Sequence, residues 1–213
     1  MMKSNSYIFS NCSLWLVLVV SIFFLYFFKW SGPADNFRAI DGDGKDYYSF
    51  LVSIFINHNI SKPDPILSMV VETSTGLVNM HTIGVAIMLL PFFFVSFIYA
   101  KMCGYPADGL SLSFQVGVSI GALFYCLLGL FFPCKLLMEY NFEDKIIAVI
   151  IFFLFTGTNL LFYTLGASSM SHVYSFCLIT CFLYASGLFF YQVKKIYIYR
   201  ITDVFVNYFS PAG

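Results

Sequence analysis

Apolar and polar positions alternate along this chain in long blocks. Five apolar runs stand out, at about 7–28, 82–100, 110–133, 146–165 and 173–193. Each is close to the roughly 20 residues that an α-helix needs to cross a bilayer. None of the last four contains Asp, Glu, Lys or Arg. The runs are continuous and do not alternate, which excludes the short dyad-patterned strands of a membrane β-barrel. The pattern predicts an all-α, polytopic helical bundle with four to five membrane segments.

Composition sharpens this. Hydrophobic residues make up 60% of the 213 positions and charged residues 10%, with 27 Phe and 15 Tyr. A soluble domain carries about a quarter charged residues, and this chain has too few to cover its apolar surface. Formal net charge is zero, and there is no long basic run, so nucleic acid is not a partner. Ion-coupled transport usually needs ionisable groups inside the spans, which the charge-free runs lack. Six cysteines stand at 12, 103, 126, 134, 177 and 181 without a CxxC spacing. They read as small packing residues and not as a disulfide framework or metal site.

The first run follows Lys3 and ends in "YFFKWSG", which lacks the A-x-A-like pattern of a cleavage site. A retained anchor is favoured over a cleaved signal peptide. The segment 29–81 is polar, holding six of the eleven acidic residues. Loop charges then favour one topology. If all five runs cross, Lys135, Lys145, Lys194, Lys195 and Arg200 fall outside. If 82–100 does not cross, all five fall inside, in keeping with the positive-inside tendency. Gly84 and Pro91 suit a broken or re-entrant 82–100. The expected layout is one membrane domain over 1–213. It has a first span at 7–28, an outer loop at 29–109 with interfacial helices and the half-buried 82–100, three spans within 110–193, and a cytoplasmic tail at 194–213.

In that layout Asp41, Asp43, Asp46, His81, Asp108 and His172 share the outer side. Three of these carboxylates lie within six residues of "DGDGKDYYSF". Acidic turns are often only solvated loops. An EF-hand is excluded, because positions five, six and twelve would be Lys45, Asp46 and Val52. A looser divalent-cation site using two of the carboxylates remains open. So does a general base, which must be ionised and reach an acceptor hydroxyl. The following "YYSFLVSIFINHNI" reads as a helix with a wide apolar face at the membrane interface. Asp108, after "GYPA" and before an apolar run, reads as a helix cap or a site residue. His172 could bind phosphate, orient a carboxylate or bond to a backbone carbonyl. Arg38, Lys45 and Lys62 could contact a phosphate or solvate the loop.

The segments "DGKDYYSFLVSIFINHN" (43–59), "HTIGVAIMLLPFFF" (81–94), "GYPADGLSLSFQ" (104–115) and "SMSHVYSFCL" (169–178) together resemble the start of GT-C membrane glycosyltransferases. They are most similar to the bacterial dolichyl-phosphate-mannose-protein mannosyltransferase-like, family 39-like proteins. The resemblance covers roughly residues 40–190. It implies a bacterial inner-membrane enzyme that transfers a sugar from a polyprenyl-phosphate carrier to an acceptor hydroxyl, with inversion. It implies a catalytic carboxylate in the first outer loop, with Asp43 first and Asp41 and Asp46 as alternates. Arg38, Lys45, Tyr47, Tyr48, His81, Asp108 and His172 are then the substrate-binding candidates. The partners implied are the lipid-linked sugar and membrane lipid. No cofactor is implied beyond an optional divalent cation, and no oligomeric state is. Members of that family are usually at least twice this long, so the chain is expected to match their N-terminal part. Two other classes fit the same helices: a non-catalytic relic or assembly subunit, and a lipid-handling or transport protein.

Overall fold

A computed structural model describes residues 7–26, 39–59, 70–73 and 76–209, with side chains described up to Phe190 in the last helix. The chain is an all-α helical bundle. Seven helices occur among the described residues: α1 Ile8–Phe24, α2 Gly44–Phe55, α3 Gly84–Cys103, α4 Leu112–Glu139, α5 Asp144–Thr156, α6 Leu160–Leu165 and α7 Ser171–Phe209. One small hairpin, β1 Val70–Thr73 and β2 Gly76–Asn79, pairs antiparallel with Val70 opposite Asn79. Among the described residues, three helices are long and apolar enough to cross a membrane: α3, α4 and Ser171–Phe190 of α7. Exposed Ile87, Val95, Ile98, Ile179 and Phe182 suit a surface that lipid covers.

The central helix is α4, 28 residues and so about 42 Å long. Its small residues set its neighbours. Gly117 and Gly121 lie against Ser96, Phe92 and Leu89 of α3, where a side chain would collide. Small residues four apart let helix backbones approach closely. Tyr125 donates to the Met88 carbonyl at 2.9 Å. Contacts at 88–125, 92–121 and 96–117 make α3 antiparallel to α4. Farther along, Tyr125 meets Tyr174, Gly129 meets Phe176 and Cys177, and Phe132 meets Tyr184. Those pairs make α7 parallel to α4. Both α3 and α7 therefore set out from the height of Tyr125 and run along α4 in opposite directions.

The other side of α4 is covered by α1 and α5. A tight turn at 140–143 returns the chain from α4 to α5. Asp144, at the start of α5, accepts from the backbone N–H groups of Phe9 and Ser10 at 2.7 and 2.9 Å. The two helices thus start together, and both run antiparallel to α4. Partial burial pushes the Asp144 carboxyl up, but hydrogen bonds from Ser10 and from the Phe9 and Ile8 amides outweigh it and hold it below its ordinary value. A lowered carboxyl contributes stability above its unfolded value of 3.8 and loses it as pH falls through the folded value. Asp144→Ala should cost about 1 kcal/mol, the usual loss at a helix N-terminus. Denaturant melts at neutral pH would show it, and the gap between the proteins should close in acid.

Two buried clusters result. One joins α2, α3 and the first half of α4 around Tyr48, Leu51, Leu89, Phe93 and Phe114. The other joins α1, α5, α6, the second half of α4 and the start of α7 around Val17, Leu130, Ile147 and Phe155. Tyr125 packs against both.

Two expected segments differ. The run 82–100 is one unbroken helix through Pro91, where a broken or re-entrant element was expected. A proline frees the carbonyl four residues back. The Tyr125 hydroxyl satisfies the carbonyl next to that gap, and tight packing on Gly117 and Gly121 keeps the helix straight enough to continue. The run 146–165 is two helices, α5 and α6, not one span. Thr156 and Thr158 turn their hydroxyls back onto the carbonyls of Phe152 and Leu154. Gly157 leaves the helix between them. Such back-bonding competes with the helical ladder.

Candidate functional site

The acidic stretch lies where the two clusters meet. The Gln115 side-chain oxygen on α4 accepts from both the Ala39 and Ile40 N–H groups at 2.9 Å. On the other side Ser169 donates its N–H to the Ala39 carbonyl at 3.2 Å. The Ser169 hydroxyl accepts from the Asp41 N–H at 3.3 Å. The turn 39–43 is thereby clamped between α4 and the segment that leads into α7. Gly42 takes φ of +56°, a conformation open to glycine at little cost. Gly44 faces Ser169 so closely that no side chain would fit.

From this turn α2 begins, and its first turn sorts the three carboxylates. Asp41 is half-exposed and pairs with Lys45 at 2.9 Å. Asp43 is exposed, at the N-cap position, with no cap bond from its side chain. Asp46 is 4% exposed. Its Oδ2 lies 3.3 Å from Nδ1 of His81. His81 is carried there by β2: Asn79 donates to the Asp46 carbonyl at 2.8 Å and to the Ser49 hydroxyl at 3.0 Å, and accepts the His81 N–H at 2.9 Å. The Tyr47 ring meets the His81 ring edge-on, 4.9 Å between centroids. One ligand atom each from Asp43, Asp46 and His81 falls within a 4.8 Å sphere of mutual distances. The helix N-terminus adds partial positive charge, which favours anions there.

The remaining expected residues scatter. Tyr48 is fully buried, and its hydroxyl donates to the Gly109 carbonyl at 2.8 Å. That orientation closes it to a substrate and makes it a core residue. Burial, with the Asp108 charge as a lesser cause, pushes its phenol well above the ordinary value, so it stays a donor. Tyr48→Phe should cost about 1–3 kcal/mol through the orphaned buried carbonyl, seen as a lower unfolding midpoint. Asp108 accepts from the N–H groups of Leu110 and Ser111 at 2.9 and 2.8 Å. It closes the turn into α4, as a cap does. His172 is exposed, and its ring lies 3.8 Å from that of Tyr163. Its neighbours Ser169 and Met170 lie against Gly44 and Gly42, so it sits at the same end of α7 as the acidic turn. Arg38 and Lys62 lie outside the described residues.

Gln115, Asn79 and Ser169 build the site although they were not singled out from the sequence. Gln115 had a signal: it is the one amide side chain in the run 110–133. Asn79 and Ser169 had none, since Asn and Ser are common beside turns. All six cysteines are free thiols. No known family, curated protein or solved structure matches this chain.

Proposed function

We propose that the chain is, or is part of, a membrane glycosyltransferase of the GT-C type, acting at the outer face of a bacterial inner membrane on a polyprenyl-phosphate-linked sugar. The observation that carries this reading is the sorting of the carboxylates at the junction. One is exposed and free to meet a substrate, one is buried beside a histidine, and both begin a helix flanked by membrane-length apolar helices. A further support is direction. Since α1 and α4 are antiparallel, α4 starts on the side where α1 ends, which leaves α3 no net crossing to make. This supports the charge-based layout, in which the acidic turn, α2 and the start of α7 share one side.

The chemistry follows from the groups present. The Asp43 carboxylate takes the proton of the acceptor hydroxyl. That oxygen bonds to the anomeric carbon from the face opposite the phosphate. The bond from the anomeric carbon to the phosphate oxygen breaks, its electron pair leaves on the lipid phosphate, and configuration inverts. The leaving phosphate needs charge stabilisation more than a proton. Lys45 is the near source of positive charge.

The test is reconstitution of the full chain in liposomes, with polyprenyl-phosphate sugar and acceptors from the membranes of a producing cell. The expected result is release of one free polyprenyl phosphate per sugar transferred. Transbilayer movement of intact donor would point to lipid handling instead. A folded protein that does neither would overturn the reading in favour of a non-catalytic role.

A further inference from the structure

We infer that Asp43, Asp46 and His81 form a binding site for a first-row divalent transition cation, such as Mn2+ or Zn2+. Cation binding stands on the geometry alone, whereas the role assigned below rests on the transferase reading.

The argument starts at His81. Its Nδ1 atom is buried and has no hydrogen-bond partner among the described residues. It nevertheless points at a carboxylate oxygen 3.3 Å away, on a side chain only 6% exposed. A neutral imidazole that carries its proton on Nε2 sets a lone pair against a lone pair here. Something positive must lie between them, either a proton or a cation. The separation suits a cation: two ligands each about 2.1 Å from a metal at a tetrahedral angle are about 3.4 Å apart. A third ligand atom is in place on Asp43, within 4.8 Å of the others, and side-chain adjustment would close the set. Asp43 is exposed, which leaves the outward coordination positions to water or substrate. Three protein ligands with an open side is the arrangement of a catalytic and not a structural site.

The set also has the outer support that metal ligands usually have. Asn79 bonds the backbone of both Asp46 and His81 and fixes their spacing. Tyr47 packs edge-on against the imidazole. One imidazole with two carboxylates suits Mn2+ or Zn2+, whereas Mg2+ and Ca2+ favour all-oxygen sets. In the transferase reading the cation stands beside the lipid phosphate and balances its charge as it leaves. One Asp43 oxygen ligates, and the other stays free for the acceptor proton.

Equilibrium dialysis of the full-length protein in detergent micelles tests this, with Mn2+ alone and then Zn2+ alone, read by elemental analysis. The expected stoichiometry is one cation per chain. Binding should weaken at least tenfold in His81→Ala and in Asp43→Asn, two accessible positions, and stay within twofold in Asp41→Asn, whose carboxylate is already paired with Lys45. Circular dichroism of each variant separates lost ligation from lost folding. Wild-type binding equal to that of folded His81→Ala would overturn the inference and leave the His81–Asp46 contact as a hydrogen bond from Nδ1–H. The two readings fail separately. Sugar transfer without bound cation sinks only the metal site, and bound cation without transfer sinks only the transferase.

Discussion

Asp43→Asn should lower sugar transfer by about 10²- to 10⁴-fold, the usual contribution of a positioned general base, with the protein still folded. The substitution keeps the size and shape of the side chain and removes its charge, and with it both the basicity and the proposed cation ligand. Asp43 is exposed and makes no cap bond, so little structure depends on its charge. In the proposed mechanism the loss should fall on kcat, because a base there would act on the acceptor proton in the transition state. Asp41→Asn is the comparison: its carboxylate is paired with Lys45 and should matter several-fold less. A folded Asp43→Asn protein that transfers sugar at the wild-type rate would remove Asp43 from the mechanism. If Asp46→Asn alone were inactive, the base would be the buried carboxylate beside His81.

The second large effect is structural. Gly44→Ala should destabilise the protein by roughly 3 kcal/mol or more, at the upper end of overpacking. A Cβ on residue 44 would stand 2.6 Å from the Ser169 Cβ and 2.9 Å from its carbonyl carbon. Part of that contact is backbone, which cannot swing aside as a long side chain can. Relief requires α2 to move away from the turn into α7. That same turn holds the acidic stretch through the Ser169 hydroxyl and amide. Activity and thermal stability should therefore fall together, unlike the Asp43→Asn case. Ser169→Gly in the Gly44→Ala background removes the side-chain part of the clash and should restore part of the midpoint. An unchanged unfolding midpoint in Gly44→Ala would show that α2 and the 168–170 turn are not packed as described.

Much of the candidate site was legible as a list of residues and little of it as an arrangement. The cluster of Asp41, Asp43 and Asp46 stands out against a chain that is only 10% charged, and an anomalous composition needs no fold to be seen. Their different fates could not be read. All three carboxylates belong to one turn and the start of one helix, and a few ångströms of helix rotation decide which is buried. That rotation is set by contacts with residues far along the chain, at Asn79, Gly109 and Ser169. Tyr47 and Tyr48 make the same point. They are adjacent and identical in type, yet one edges the site and the other fills the core. Successive helix positions point about 100° apart.

Long-range pairings were hidden for a similar reason. His81 meets Asp46 across 35 positions of sequence (81 − 46), because a four-residue hairpin pair returns the chain. Strands of that length are too short to leave a clear alternation.

The sequence by itself determined the class of the protein. Charge-free apolar runs near 20 residues have few stable homes except a helix in lipid, since backbone groups there must bond within their own segment. It also determined that the carboxylates gather at one point on a polar segment. Tertiary structure alone decided that α3 and α7 leave the height of Tyr125 in opposite directions, that the run 146–165 splits at Gly157, and that Asp46 goes inside beside His81 while Asp43 stays out. The first set depends on local composition and solvent, which every residue carries with it. The second depends on where glycines let helices touch, and each such contact needs a partner from elsewhere in the chain.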